Sequence, residues 1–410
     1  MFQPKNFYSV LTPMYYSTKI VGLTPFKINQ ICFRRSKINL CWCIGLMIFL
    51  NLYTSAGLLQ RPDIDWQFIM VITDIVAAYL TQANMACGIL FGCIYSNTIL
   101  EILASIDSFD KDLQKIYSKL NLLQEYRNSK IYLVFGIIAT FFLLVAVIVL
   151  SFLPQVEEPA FFGEFLAYIA PEVISTSVVF QFCSILLCVK QRFVWLNKTV
   201  QSLTKMFQND FAKFSILYQK NKVFSTPVMS QGVLQDYIIT TLEKLRCKHY
   251  LLFSICKKIN AAYSVQLLLI VGQVFVTIII LTYYSGRHIV LDTKIPINYI
   301  MYCFIHIILA LLQITVLTVV CSTTSREAKK TGTLFFGLIS KQFKNKYKEE
   351  LQIGIVTFSL QLLHQDLYFT ACHFFILNEN LLLSMAGAIT TYLVIVIQFE
   401  IKDYEKSKSA

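Results

Sequence analysis

The 410-residue chain is 56% hydrophobic and only 15% charged, with a mean hydropathy of +0.59, which leaves too little polar surface for a water-soluble globule. With 33 Phe and 22 Tyr against 14 Gly it is neither disordered nor collagen-like, and its long unbroken apolar runs are unlike the short alternating segments of a membrane β-barrel. The net charge of +12 is then a matter of which side of a membrane the cations occupy, not a sign of nucleic-acid binding.

In chain order, residues 1–38 read as a cytoplasmic N-terminal segment. The first apolar run is too long for the core of a cleavable signal and follows Arg34, Arg35 and Lys37. A crossing helix needs about 20 mostly apolar residues. The runs 39–59, 68–94, 131–153, 166–188, 262–286 and 299–323 meet that test, and a seventh, 381–399, closes the chain. Between the second and third runs, Ile99, Leu103, Ile106, Leu113, Ile116, Leu120 and Leu123 recur at helical spacing. Similar stretches flank Ser225-Thr226-Pro227 in 190–261, so spans two to five are expected to continue as helices into a cytoplasmic layer. The stretch 351–377 is interrupted by His364, Gln365 and Asp366 and reads as a helix packed under the bundle on the cytoplasmic side.

Orientation follows from the cations. Of 36 Lys and Arg, only Arg61, Arg287, Lys294, Lys402, Lys406 and Lys408 fall on the side opposite the N-terminus. That excess puts the N-terminus in the cytoplasm and, with seven spans, the C-terminus outside. It opposes a G-protein-coupled receptor, which needs an extracellular N-terminus, and the absence of an internal repeat weighs against a transporter. The sequon Asn197-Lys198-Thr199 falls in a cytoplasmic connection and is expected to stay unmodified, as a cheap test of topology. None of the 12 Cys lies in a segment assigned outside, so they read as reduced thiols.

Ionisable groups inside spans are costly and tend to mark function. Asp74, Glu172 and His306 each lie roughly six or seven residues into a span that starts from the outer surface, at a depth of ~9 to 11 Å. A cavity at that level would offer two carboxylates and an imidazole, with aromatic walls from Trp66, Tyr168, Tyr283, Tyr284, Tyr299 and Tyr302. Such a lining suits hydroxyl-rich or cationic organic ligands. The alternatives are structural pairing for the ionisable groups, an interfacial belt for the aromatic ones, and interhelical bonding for Gln181, Gln273 and Gln313.

On the last span, Ser384, Gly387, Thr391, Val394 and Gln398 recur three and four apart, placing small or polar groups on one stripe. Such a stripe can line a pore, with Val394 or Phe399 gating by dewetting, or it can be a helix-packing face. Only Glu400 offers a carboxylate nearby, which implies poor discrimination among monovalent cations. The span ends Thr391-Tyr392, five hydrophobic residues, then Gln398-Phe399.

That ending resembles the C-terminal signature of the insect gustatory receptor family, and all nine positions match. Lys19-Ile20, Gly22-Leu23 and Pro25-Phe26 also resemble the family, as does the run from Phe358 to His364 followed by Phe369-Thr370-Ala371-Cys372. The resemblance implies an all-α polytopic receptor of seven transmembrane helices, working as a ligand-gated non-selective cation channel in a sensory neuron's plasma membrane. It implies a homotetramer or a hetero-oligomer with related receptors, a small-molecule tastant, and monovalent and divalent cations as permeant ions. The organisation expected is a six-span sensing bundle over 39–345, an anchor half-helix at 346–380, a pore-lining span at 381–400 and an extracellular tail at 401–410. Gln398 and Phe399 would lie near the gate, with Tyr392 in the signature. Leu393 stands where the family's main sugar-receptor group commonly has Glu, which leaves fructose-type, bitter-type or other stimuli open. Cys372-His373 and Leu377-Asn378 replace the Cys-Gly and Leu-Asp of many relatives. No zinc-ligand spacing, phosphate loop or nucleophile elbow occurs, so neither catalysis nor a cofactor is expected, and the partners expected besides the tastant are ions and lipid, without nucleic acid.

Overall fold

The computed structural model describes residues 4, 6–28, 33–59, 68–116, 122–152, 161–220, 231–290, 297–342 and 349–409. Among them the chain is almost wholly helical: α1 Phe7–Ile20, α2 Lys37–Leu59, α3 Phe68–Ile94, α4 Ser96–Ile116, α5 Leu122–Phe152, α6 Phe161–Lys220, α7 Gln231–Val290, α8 Ile297–Gln342, α9 Glu349–His364 and α10 Glu379–Ser409. Two small antiparallel hairpins complete it, β1 Phe26–Ile28 with β2 Phe33–Arg35, and β3 Thr370–Ala371 with β4 Phe375–Ile376.

Apart from residue 153, which lies outside the described residues, each of the seven expected spans falls within a helix, and among the described residues six segments are apolar and long enough to cross a membrane: Lys37–Ala56, Ile75–Ile94, Leu122–Ala146, Ile169–Ser202, Thr240–Gly286 and Cys303–Leu334. A shorter apolar segment, Glu379–Ile395, begins α10. The helices α6 and α7 each run 60 residues, about 90 Å at 1.5 Å per residue and some three times the hydrocarbon thickness. They therefore extend well beyond a bilayer. The core gathers where α6, α7 and α8 pack on one another, with α3 against α6 and α7. Of the crossing segment in α6, 67% is buried within the chain, against 6% for that in α5, so α6 is a central pillar and α5 lies at the periphery.

The N-terminal 38 residues hold more structure than their reading as a segment. α1 starts with a capping box in which Asn6 accepts from the Ser9 amide at 2.9 Å. It stops at Gly22, whose φ of +77° favours glycine; the Leu23 amide bonds the Thr18 carbonyl and the Gly22 amide that of Lys19, closing both free carbonyls. The chain then turns into the β1–β2 hairpin. The carbonyl of Phe26 accepts from the Tyr15 hydroxyl at 3.2 Å and the Asn39 amide at 2.6 Å, which fixes the hairpin between α1 and α2.

The stripe on α4 is buried at Ile99, Leu103, Ile106 and Leu113, but Leu123 is 60% exposed while Leu122 is buried. A new helix starts at Leu122, so the helical phase does not carry over. Ser225-Thr226-Pro227 and Leu120 lie outside the described residues. The stretch 351–377 is not one helix: α9 ends at His364, at the polar interruption, and the hairpin β3–β4 follows.

Candidate functional site

Inside the bundle, Glu172 follows the proline that interrupts the α6 bonding pattern, Pro171. Its Oε2 accepts from Gln273 Nε2 of α7 at 3.3 Å, and Gln273 Oε1 accepts from the Asn84 amide of α3. A chain of polar groups thus joins three helices in an apolar setting, where an unpaired amide or carboxylate is costly. Close by, Gln313 donates to Ser175 at 3.4 Å, joining α8 to α6, and Gln266 donates to the Gly88 carbonyl at 3.0 Å, joining α7 to α3. Gln181 is buried with no partner for its Nε2.

The side chains expected at one level are placed as follows. The α6–α8 register, set by Ser175–Gln313, Lys190–Thr323 and Asn197–Thr331, brings half-buried His306 to within about one turn of Glu172 along the axis. Tyr283 and Tyr284 are each 4% exposed and pack with Ile280, Ala77 of α3 and Leu393 of α10. The last helix therefore meets this cluster. Trp66 and the side chains of Asp74, Tyr168, Tyr299, Tyr302 and Phe399 lie outside the described residues. A cleft of about 370 Å³ opens elsewhere, between α7 and α9, lined by Arg246, Cys247, Tyr250, Thr357, Gln361 and Gln365; it contains none of the sequence candidates.

Among the described residues, the last helix packs on its own bundle along one side. Met385 is buried, and Leu382 and Ile389 pack against the core while Leu393 meets the tyrosine pair. With about 100° per residue, the stripe Ser384, Gly387, Thr391, Val394 and Gln398 lies roughly 180° from that side. All five are exposed, Tyr392 is 56% exposed, and a Cβ at Gly387 would meet nothing within 4 Å. The hydroxyls of Ser384 and Thr391 donate to their own helix, to the Asn380 and Gly387 carbonyls at 3.1 and 2.9 Å. Their hydrogens face the backbone, so each presents an oxygen lone pair outward, which suits a cation.

Between α9 and α10 the chain is pinned rather than free. The amide of Thr370 donates to Asn260 Oδ1 at 2.9 Å and that of Cys372 to Ser264 Oγ at 2.7 Å, both residues of α7. The two residues of the turn, Cys372 and His373, have φ of 47° and 62°, and the Phe374 amide bonds the Ala371 carbonyl at 2.9 Å. This is a type I′ turn, where glycine fits without strain, so His373 is a costlier choice than glycine at this place.

Sequence reasoning missed one site. Arg192 of α6 and Asp110 of α4, each 1% exposed, form a two-pronged pair at 3.0 and 2.6 Å. Tyr126 of α5 donates to the same carboxylate at 2.7 Å, and the guanidinium lies 4.7 Å from the Phe7 ring of α1 and 4.8 Å from that of Trp195. The signal was present: Asp110 sits among Ile106, Phe109 and Leu113 on the apolar face of α4. A more exposed bridge, Lys248 to Asp112 at 2.6 Å, ties α4 to α7, and its hydrogen bond holds the Asp112 carboxyl below its usual pKa. Asn197 is 3% exposed, donating to Glu327 and accepting from Thr331. Its lack of a glycan would report burial, so it is no test of topology.

With these features in place, the comparisons with known proteins are consistent. Residues 11–403 match the 7tm chemosensory receptor family, and the chain belongs to it. It is 23% identical to gustatory receptor 28b of Drosophila melanogaster over 96% of this chain and 86% of that one, and 23% identical to gustatory receptor 28a of the same species over 97% and 92%. Its fold is shared with the insect olfactory receptor OR5 of Machilis hrabei, at a TM-score of 0.66 and 12% identity, over 95% of this chain and 97% of that one. OR5 in complex with eugenol aligns at a TM-score of 0.57. A multi-pass membrane chemoreceptor of the insect type is the class these matches define, and the plasma membrane is its place.

Proposed function

We propose that this chain is the subunit of a gustatory-type, ligand-gated, non-selective cation channel, with α10 as the seventh span and the pore lining. The observation that carries this reading is the polar stripe on α10, which faces away from the subunit's own bundle and presents oxygen acceptors on every second turn or closer. Four copies turning that stripe inward around an axis would form a cation-tolerant path closed near Val394 and Gln398. The N-terminus lies in the cytoplasm and the C-terminus outside. The anchor is α9 with the β3–β4 hairpin, and the sensing bundle is the six preceding spans.

The ligand is a small organic molecule bound in the outer half of the bundle, near the level of Glu172 and His306. The polar chain of Asn84, Gln273 and Glu172 favours hydroxyl-bearing or cationic compounds, and the related OR5 is known in complex with a small phenol, eugenol. Leu393 in place of Glu argues against the main sugar-receptor group. A ligand opens the pore only by the difference in its affinity for open and closed conformers.

The test is whole-cell current in transfected cells under sugars, alkaloids and terpenoids with no added G protein. Ligand-evoked cation current is expected, with altered unitary conductance or ion selectivity in Gln398→Ala. Responses that vanish under G-protein inhibition in surface-expressed protein would overturn the channel reading.

A further inference from the structure

We propose that the β1–β2 hairpin, with the end of α1 and the start of α2, forms a binding site for the phosphate-bearing headgroup of an anionic phospholipid. The register pairs Lys27 directly with Arg34, and both side chains are exposed, as are Arg35 and Lys37. Like charges directly opposite on two strands repel. This pair is nonetheless held in place from behind. The inner face carries Phe26 and Phe33, their rings 5.3 Å apart, packed on Tyr8 and Tyr15 of α1, and the Phe26 carbonyl is bonded from both flanking helices.

Among the described residues no counter-charge is paired with these cations. The first acidic residue in the sequence is Asp63. The neighbouring α4 carboxylates are engaged elsewhere: Glu101 with Lys258, Asp107 with Lys111, Asp110 with Arg192 and Asp112 with Lys248. Among the described residues Lys27, Arg34, Arg35 and Lys37 make no ion pair.

The surroundings select a lipid over a soluble anion. Large apolar side chains stand exposed beside the cations: Tyr16 and Ile20 on α1, at 54% and 73%, and Ile38 and Trp42 on α2, at 81% and 54%. Lys37 opens a membrane-crossing segment, so the cations sit at the leaflet surface where α2 enters and the apolar groups continue α2's lipid-facing side. Cations at headgroup level with an aromatic ring just below is the pattern that binds anionic lipid. Two cations on adjacent strands, one of them a guanidinium fork, can share a single phosphate and relieve their own repulsion.

Native mass spectrometry of the full-length receptor released from nanodiscs would test this, using phosphatidylcholine alone or with minor phosphatidylserine or phosphatidylinositol bisphosphate. Wild type should retain the anionic lipids in preference to phosphatidylcholine, and Lys27→Gln with Arg34→Gln should cut that preference roughly tenfold. Lys27→Glu supplies an internal partner for Arg34, so it should keep or raise the thermal midpoint while losing the lipid preference, which separates headgroup binding from folding. Unchanged preference in both variants overturns the site. So does wild type without any preference, or a soluble inositol phosphate that binds as tightly as the lipid.

Discussion

Asp110 and Arg192 show how much a single buried pair can govern. Each ion is out of water, and its hydrogen bonds among the described residues go to the other ion, to Tyr126 and to the Cys188 carbonyl. Asp110→Ala leaves the guanidinium unpaired in a dry site and should cost about 3–5 kcal/mol. Fluorescence-detected size exclusion after heating should show a collapse of monodisperse receptor, and Asp110→Leu with Arg192→Leu should recover much of it. Near the bundle centre, Gln273→Leu and Glu172→Gln should change the ligand dose–response more than surface expression. An equal loss of both would mean that the Asn84–Gln273–Glu172 chain is purely structural. The Asp110 site was hard to read from sequence because its partners are 82 residues apart and both lie in stretches whose cations look solvated. Glu172 and Gln273 were legible because a polar group in an apolar run stands out alone, whereas their pairing with each other across two helices required the packing.

Among the elements, the long helices were readable and the short ones were not. Apolar runs of 20 or more residues are set by the thickness of a bilayer, so their helices follow from composition. A hairpin of three-residue strands such as β1–β2 has no room for an alternating pattern, and its position depends on the Tyr15 and Asn39 side chains that clamp Phe26. The β3–β4 hairpin is similar, and it carries a functional consequence. α7 bears Gln273 at the polar chain and Asn260 and Ser264 at the hairpin that leads into α10. From Gln273 to Asn260 is about 20 Å along one helix, so a shift of α7 at the inner network moves the base of the last helix with it. Asn260→Ala with Ser264→Ala should therefore lower the maximal ligand-evoked open probability while leaving radioligand binding nearly unchanged. Equal open probability in patch recordings would remove the hairpin from the gating route.

For the whole molecule, the exposed faces bear on the proposed assembly. Among the described residues α10 packs one side on its own subunit, and α5 exposes Phe135, Phe141 and Phe142 at 71%, 62% and 67%. The first surface fits a pore shared between copies and the second fits lipid, since the apolar residues of α5 lack any polar stripe. Tags at each terminus in unpermeabilised cells should show the C-terminal tag alone, given the cation distribution; an exposed N-terminal tag would invert the arrangement. The charge excess that argues for this orientation is read from sequence, whereas the rotation of α10 about its axis required the packing of Met385, Ile389 and Leu393.

The Asp110–Arg192 cluster also has an order in time. Its members come from α1, α4, α5 and α6, and those of α6, Arg192 and Trp195, are the last of them to be synthesised. At about 5–20 residues per second, Asp110 waits roughly 4–16 s on the ribosome-bound chain before its partner exists. Until then α1 lacks the cation that its Phe7 ring will face, although it can already pack on α5 and on the β1–β2 hairpin.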